Sequence, residues 1–148
     1  HTLERMQYHP SAQWLREHGY DPAMAKAVHV PRAKLLVSRH SINEQPWALL
    51  HELAHAYHDQ VLGFDEPRIQ AAWEKFKAVG KYNEPVLHIS GQPRRHYALT
   101  DQKEFFAEMT EAYFGANDFF PFVRPELKAE LPEVFALLED IWGPVTYP

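Results

Sequence analysis

The stretch Pro46-Trp47-Ala48-Leu49-Leu50-His51-Glu52-Leu53-Ala54-His55-Ala56-Tyr57-His58-Asp59-Gln60-Val61-Leu62-Gly63 decides the reading of this chain. Trp47, Leu50, Ala54, Tyr57 and Val61 recur at steps of three and four, which predicts a helix with one continuous apolar stripe. Pro46 suits the first turn of such a helix and Gly63 its end. Inside it stands His51-Glu52-Leu53-Ala54-His55. Residues four apart on a helix differ by about 40° in azimuth and one turn in height, so His51 and His55 can aim two imidazoles at one zinc ion. Glu52, one step off, is not the natural third ligand but can lean over a water at the metal. That is the arrangement of a hydrolytic zinc site. Chance alone supplies roughly 0.06 such pentads in a chain of this composition. The apolar stripe adds weight, because it buries one face and leaves the histidine pair on a neighbouring one.

A catalytic zinc takes a third protein ligand and keeps a fourth position open. The chain has no cysteine among its 148 residues, so the third ligand must be a carboxylate or another histidine. Downstream, Glu104-Phe105-Phe106-Ala107-Glu108-Met109-Thr110-Glu111 reads as helix, with Glu104, Glu108 and Glu111 on one face. An acidic stripe is usually solvated. Here the surrounding aromatics predict a buried helix, and buried carboxylates need a metal or a hydrogen-bond partner. His58, three residues after His55, reads as a surface or supporting residue in preference to a ligand.

Working outward, Ser11 to His18 predicts a short helix stopped by Gly19. Val28 to Pro31 and Leu35 to Ser38 read as strand, with Pro31 pointing to a sheet edge. The Leu35 to Ser38 segment, just before the metal helix, is expected to offer its edge to an extended peptide. A second helix is expected from Pro67 to Gly80, a hairpin from Pro85 to Ser90 and Arg94 to Leu99 around Gly91-Gln92-Pro93, and a helix capped by Thr100 or Asp101 that runs to Phe114. A last helix covers Pro132 to Trp142. His88 and His96 read as cross-strand polar residues, Arg94-Arg95 as a solvated turn, and Tyr113, Phe114, Phe119, Phe120 and Phe122 as core or lid packing.

His51-Glu52-x-x-His55, then Tyr97, then Glu104-Phe105-Phe106-Ala107-Glu108 resembles the catalytic domain of the anthrax lethal factor family of zinc metallopeptidases, which includes the Pro-Pro endopeptidases. The similarity covers roughly Lys34 to Phe114. It implies a zincin-like fold in which His51, His55 and Glu104 bind one zinc ion and Glu52 activates water. It further implies that Tyr97 stabilises the oxyanion, and that Glu108 supports a histidine from behind by accepting its free N–H. The seven-residue step from Tyr97 to Glu104 matches the family's spacing. None of a toxin's binding domains is recognisable, so lethal factor's own substrate is not carried over. The resemblance also points to a secreted or extracytoplasmic setting, which the residues themselves do not read out.

The expected architecture is therefore a single α+β domain over residues 1–148, predominantly helical, with a small edge strand or hairpin beside the active-site helix. Its expected activity is hydrolysis of a peptide or protein substrate by zinc-activated water, with Glu52 as general base. The rival reading is a zinc-containing module that captures peptides without cutting them. Glu52 argues against it, since a structural site gains nothing from a base. Hydrolysis of a substrate other than a peptide is a third reading.

The 15 Lys plus Arg against 20 Asp plus Glu give a formal charge of −5, which argues against a nucleic-acid binder. No apolar run approaches the roughly 18 residues of a membrane span. A monomer is the working expectation. A chain opening on His1 instead of Met leads to the expectation that a leader, tag or upstream domain once preceded it.

Overall fold

The computed structural model describes residues 4–38 and 43–146. His1, and residues 39–42 within the stretch that carries the resemblance, lie outside it. In chain order the elements are β1 (Gln7–Tyr8), α1 (Ala12–Glu17), β2 (Val28–His29), α2 (Ala48–Tyr57), α3 (Pro67–Ala78), β3 (Val86–Leu87), β4 (Pro93–Arg94), α4 (Gln102–Phe114), α5 (Arg124–Glu130) and α6 (Pro132–Trp142). β1 pairs antiparallel with β2, Tyr8 opposite Val28, and β3 with β4, Val86 opposite Arg94. The architecture is α+β and dominated by helix. No helix among the described residues is long and apolar enough to cross a membrane.

The spine is α4, in which every residue from Phe105 to Tyr113 is buried. A helix covered on all sides has neighbours on all sides. α2 and the short 3-10 turn Tyr97–Leu99 cover one part of it, and α3, α5 and α6 the rest. Ile69, Phe76, Leu127, Phe135 and Leu138 close against Phe105, Phe106 and Met109 in one apolar cluster. The start of α4 is fixed by Asp101, whose side chain accepts from the N–H groups of Lys103 and Glu104, both at 2.9 Å. Its end is fixed by Gly115. A Cβ there would stand 2.2 Å from Trp47 Cε2, so the missing side chain is what lets the entrance of α2 pack on the exit of α4.

α2 buries only part of the face its apolar stripe predicts, Ala54 in the core with Tyr57 packed against it. His51, Ala54 and His58 are inside, whereas Trp47 and Val61 are 42% and 62% exposed. The physical reason is twofold. Polar side chains at steps of three and four meet the acids of α4, and at His58–Leu62 the helix widens into a π-turn, which shifts the register and swings Val61 outward.

One expected strand is absent and another is cut short. Ala33–Val37 forms a 3-10 helix, not a sheet edge. With one β-branched residue between Ala33 and Val37 and no partner strand among the described residues, local hydrogen bonds win there. The extended segment lying against α2 is β1 instead. The hairpin's second arm stops at Arg94, because the His96 Nδ1 accepts from the Ala98 N–H at 3.2 Å and caps the 3-10 turn Tyr97–Leu99. α5 was not expected. Its signals are Pro125 in the first turn and Glu126, which reaches back to the N–H groups of Phe122 and Val123 at 2.8 and 3.3 Å.

Candidate metal centre

α2 and α4 pack so that the histidine face of one meets the acidic face of the other. His51 Nε2 lies 2.9 Å and His55 Nε2 3.2 Å from the same oxygen of Glu104, Oε2. The two imidazole rings are 4.7 Å apart at their centroids and nearly perpendicular. Thus two nitrogens one helical turn apart and a carboxylate from another helix converge, with all donor atoms within 4.8 Å of one another. Two imidazoles and a carboxylate without a thiol are a donor set that suits a divalent cation. A second group, His51 with Glu108 and Glu111, has equally close donor atoms but is entirely buried. It shares His51, and its close contact is a hydrogen bond.

That contact corrects one expectation. The acceptor for the His51 Nδ1–H is Glu111 Oε1, at 2.6 Å, whereas Glu108 Oε1 stands 3.8 Å away. Seven residues from Glu104 make two turns of helix, so Glu104 and Glu111 bracket one imidazole ring from its two nitrogens. Glu108, between them, has no hydrogen-bond partner for either oxygen. The signal for Glu111 was its place on the acidic face.

Glu52 faces the cleft from α2. The Tyr8 N–H donates to its Oε2 at 2.7 Å, a contact spanning 44 positions that nothing in the sequence announces. Tyr97, on the 3-10 turn and 45% exposed, places its hydroxyl 3.5 Å from Glu104 Oε1. These residues line a cleft of about 720 Å³, together with Arg5, Met6 and Tyr8 on one side and His88, Arg94 and Phe119 on the other. Phe119 and Asp118 reach it because the loop after α4 pairs with β3, the Ile89 N–H donating to the Asp118 carbonyl at 2.7 Å.

No family model, curated protein or solved structure matches this chain. The chemistry of the site therefore rests on its own geometry.

Burial alone would lower the pKa of His51, but its hydrogen bonds to the Glu104 and Glu111 carboxylates outweigh it and hold it well above the ordinary value. Burial works against the charge on Glu104 too, and His51 and His55 overcome it, bringing its pKa to about 2. Glu111 is pushed up to about 7 by burial, against the pull of His51. Glu108 is pushed well up by burial and by its acidic neighbours Asp118 and Glu111, so it stands as a neutral acid. Burial raises Glu52, which the His51 imidazole and the Tyr8 N–H temper. Burial and the charge of Glu104 raise Tyr97 to about 12, so its phenol keeps its proton at neutral pH.

His58 is fully buried, packed between Phe64 and Phe106 with ring centroids at 5.2 and 5.0 Å, and belongs to neither candidate donor group. His96 is equally buried. His88 sits at the cleft edge, its Nδ1 2.7 Å from Ser90 Oγ. Arg94 contacts Glu44 at 3.2 Å, and Arg95 donates to the Leu99 carbonyl.

Proposed function

We propose that this chain is a zinc-dependent endopeptidase with a zincin-like fold, of the kind its resemblance to the lethal factor family implies. The observation that carries the reading is the convergence of His51 Nε2 and His55 Nε2 on one oxygen of Glu104 beside a cleft that also holds Glu52. His51, His55 and Glu104 would hold the ion, as a three-ligand set that leaves a position open. When bound, zinc supplies Lewis acidity, polarising the scissile carbonyl and acidifying water at neutral pH.

The rest of the chemistry belongs to the chain. Glu52 takes the proton of the attacking water and returns it to the leaving amine. Its Oε2 is engaged by the Tyr8 N–H, so Oε1 is the oxygen that handles the proton. Burial makes Glu52 a stronger base than an exposed glutamate. The Tyr97 phenol donates to the developing oxyanion. Behind His51, Glu111 fixes the ring so that Nδ1 carries the hydrogen and Nε2 is free to ligate. The cleft, about 720 Å³, has room for a short peptide segment.

The test is elemental analysis of the purified protein joined to a peptide-library digest read by mass spectrometry. The expected result is one zinc per chain, with cleavage abolished by chelator and restored by zinc. Glu52→Gln should keep its zinc and cleave nothing. A wild type that binds peptides tightly yet cuts none would move the reading to a capture module.

A further inference from the structure

Tyr8 touches α2 and its π-turn extension at two points seven residues apart. Its main-chain N–H donates to Glu52 Oε2 at 2.7 Å, and its phenol donates to Asp59 Oδ2 at 2.6 Å. Lys26, just ahead of β2 at the same end of the ribbon, binds that same oxygen of Asp59. Its backbone, in the left-handed region at φ 63°, is held by its N–H on the His9 carbonyl at 2.7 Å. Tyr8 is 7% exposed, and the Asp59 side chain 14%. Both sides of the ribbon are thus tied to one carboxylate on the helix that carries the histidine pair.

We propose that Tyr8, Asp59 and Lys26 form a latch that positions Glu52, with Asp59 as the anchor and the Tyr8 main-chain N–H as the group that sets the glutamate's orientation. This rests on the peptidase reading for its catalytic consequence. A glutamate side chain has several rotors and loses much freedom when it is fixed. A main-chain donor fixes one oxygen and leaves the other turned to the cleft, but only if the strand that carries the donor is itself held. The β1–β2 ribbon pairs over two residues, too little to hold itself in water. What fixes it against α2 is therefore the side chain of the same residue that supplies the N–H. The coupling is local: the phenol on Asp59 keeps the amide on Glu52. Asp59 touches neither metal ligands nor substrate, so it is a positioning residue.

The experiment measures amide hydrogen exchange of Tyr8 by NMR, zinc content, and the kinetics of peptide cleavage in wild type, Tyr8→Phe, Asp59→Ala and Asp59→Asn. Tyr8→Phe removes only a hydroxyl and keeps the ring, so it guards against a variant that merely fails to fold. The expected result is a slowly exchanging Tyr8 amide in wild type and a much faster one in Tyr8→Phe and Asp59→Ala. In those two variants kcat should fall roughly ten- to hundredfold, as for a misplaced catalytic group, with zinc per chain unchanged. Asp59→Asn, which still accepts from the phenol, should recover most of both. In Glu52→Ala the same amide should exchange fast although the phenol latch is intact, identifying Glu52 as its partner. A Tyr8 amide equally protected in wild type and Asp59→Ala would overturn the latch. So would an amide freed without any fall in kcat. A wild type that cleaves nothing defeats the peptidase reading alone, and the exchange data then decide the latch by themselves.

Discussion

Glu111 Oε1 lies 2.6 Å from Nδ1 of His51, while Glu104 Oε2 meets Nε2 of the same ring at 2.9 Å. One imidazole is held from both nitrogens by acids two turns apart on α4, which fixes its orientation, and the acid on Nδ1 leaves Nε2 as the nitrogen that faces the cleft. Truncating the acceptor behind a metal-binding histidine typically costs about 10–100-fold in metal affinity. Glu111→Ala should show a loss of that size in a competition titration against a zinc chelator. Glu108→Ala should stay close to wild type, because its carboxyl stands 3.8 Å from the ring, too far to accept the Nδ1–H. The reverse order of losses would return the supporting role to Glu108.

Gly115 gives a test of how the two functional helices are held together. An alanine there would place its Cβ 2.2 Å from the Trp47 ring, which must then move. Overpacking of this kind costs about 1–3 kcal/mol. Gly115→Ala should lower the unfolding free energy by that order in urea. Because the strain is with Trp47, the same substitution made beside Trp47→Ala should cost much less. Equal costs in both backgrounds would show that the ring is not what excludes the side chain.

How far the sequence carried the reading depends on the range of the interaction. Helix ends marked by local chemistry were legible: Asp101 caps where expected, Ser11 and Gly19 bound the first helix, and Pro132 and Gly143 bracket the last. The histidine pair and Glu104 come together in the structure because spacing of four on one helix and an acidic face on a buried one are strong patterns. What escaped was whatever a distant neighbour decides. Ala33–Val37 is apolar enough for a strand but has no strand to pair with among the described residues. Tyr8 looks like any tyrosine near a chain's start until β1 is laid across α2. Choosing between Glu108 and Glu111 needed the depth at which the His51 ring enters, and periodicity carries no depth.

Two buried histidines set an acid limit on stability. His58 and His96 have pKa values near 4, both lowered first of all by burial, against about 6.5 for the unfolded chain. Each therefore keeps its contribution in full above pH 6.5, and loses it as the pH falls from there to about 4, where the unfolded chain takes up the proton first. At pH 5 the loss at His58 alone is about 2 kcal/mol. His58→Leu, a neutral side chain among Phe64 and Phe106, should thus gain roughly that much on wild type between pH 7 and pH 5 in denaturant titrations. A difference between the two proteins that does not change with pH would mean that His58 titrates alike in the folded and the unfolded chain, and that burial does not lower its pKa.

Tyr97 offers the sharpest separation of chemistry from packing. It sits on the 3-10 turn Tyr97–Leu99, where Ala98 and Leu99 are buried and the tyrosine itself is 45% exposed on the cleft wall. Its hydroxyl is 3.5 Å from Glu104 Oε1, too long for a strong hydrogen bond, so Glu104 does not tie it down. With its pKa raised to about 12, by burial first and then by Glu104, it remains a donor throughout the neutral pH range. A group that donates only to the developing oxyanion acts in the transition state and hardly at all on bound substrate. Its removal costs about 10²–10³ in kcat for comparable donors. Tyr97→Phe should therefore fold with an unchanged Tm, carry zinc like wild type and hold KM nearly constant, while kcat falls by that order. A fall in zinc content would instead make the phenol part of the metal's surroundings. An unchanged kcat would return Tyr97 to the cleft wall as packing and leave the oxyanion to be stabilised by another group.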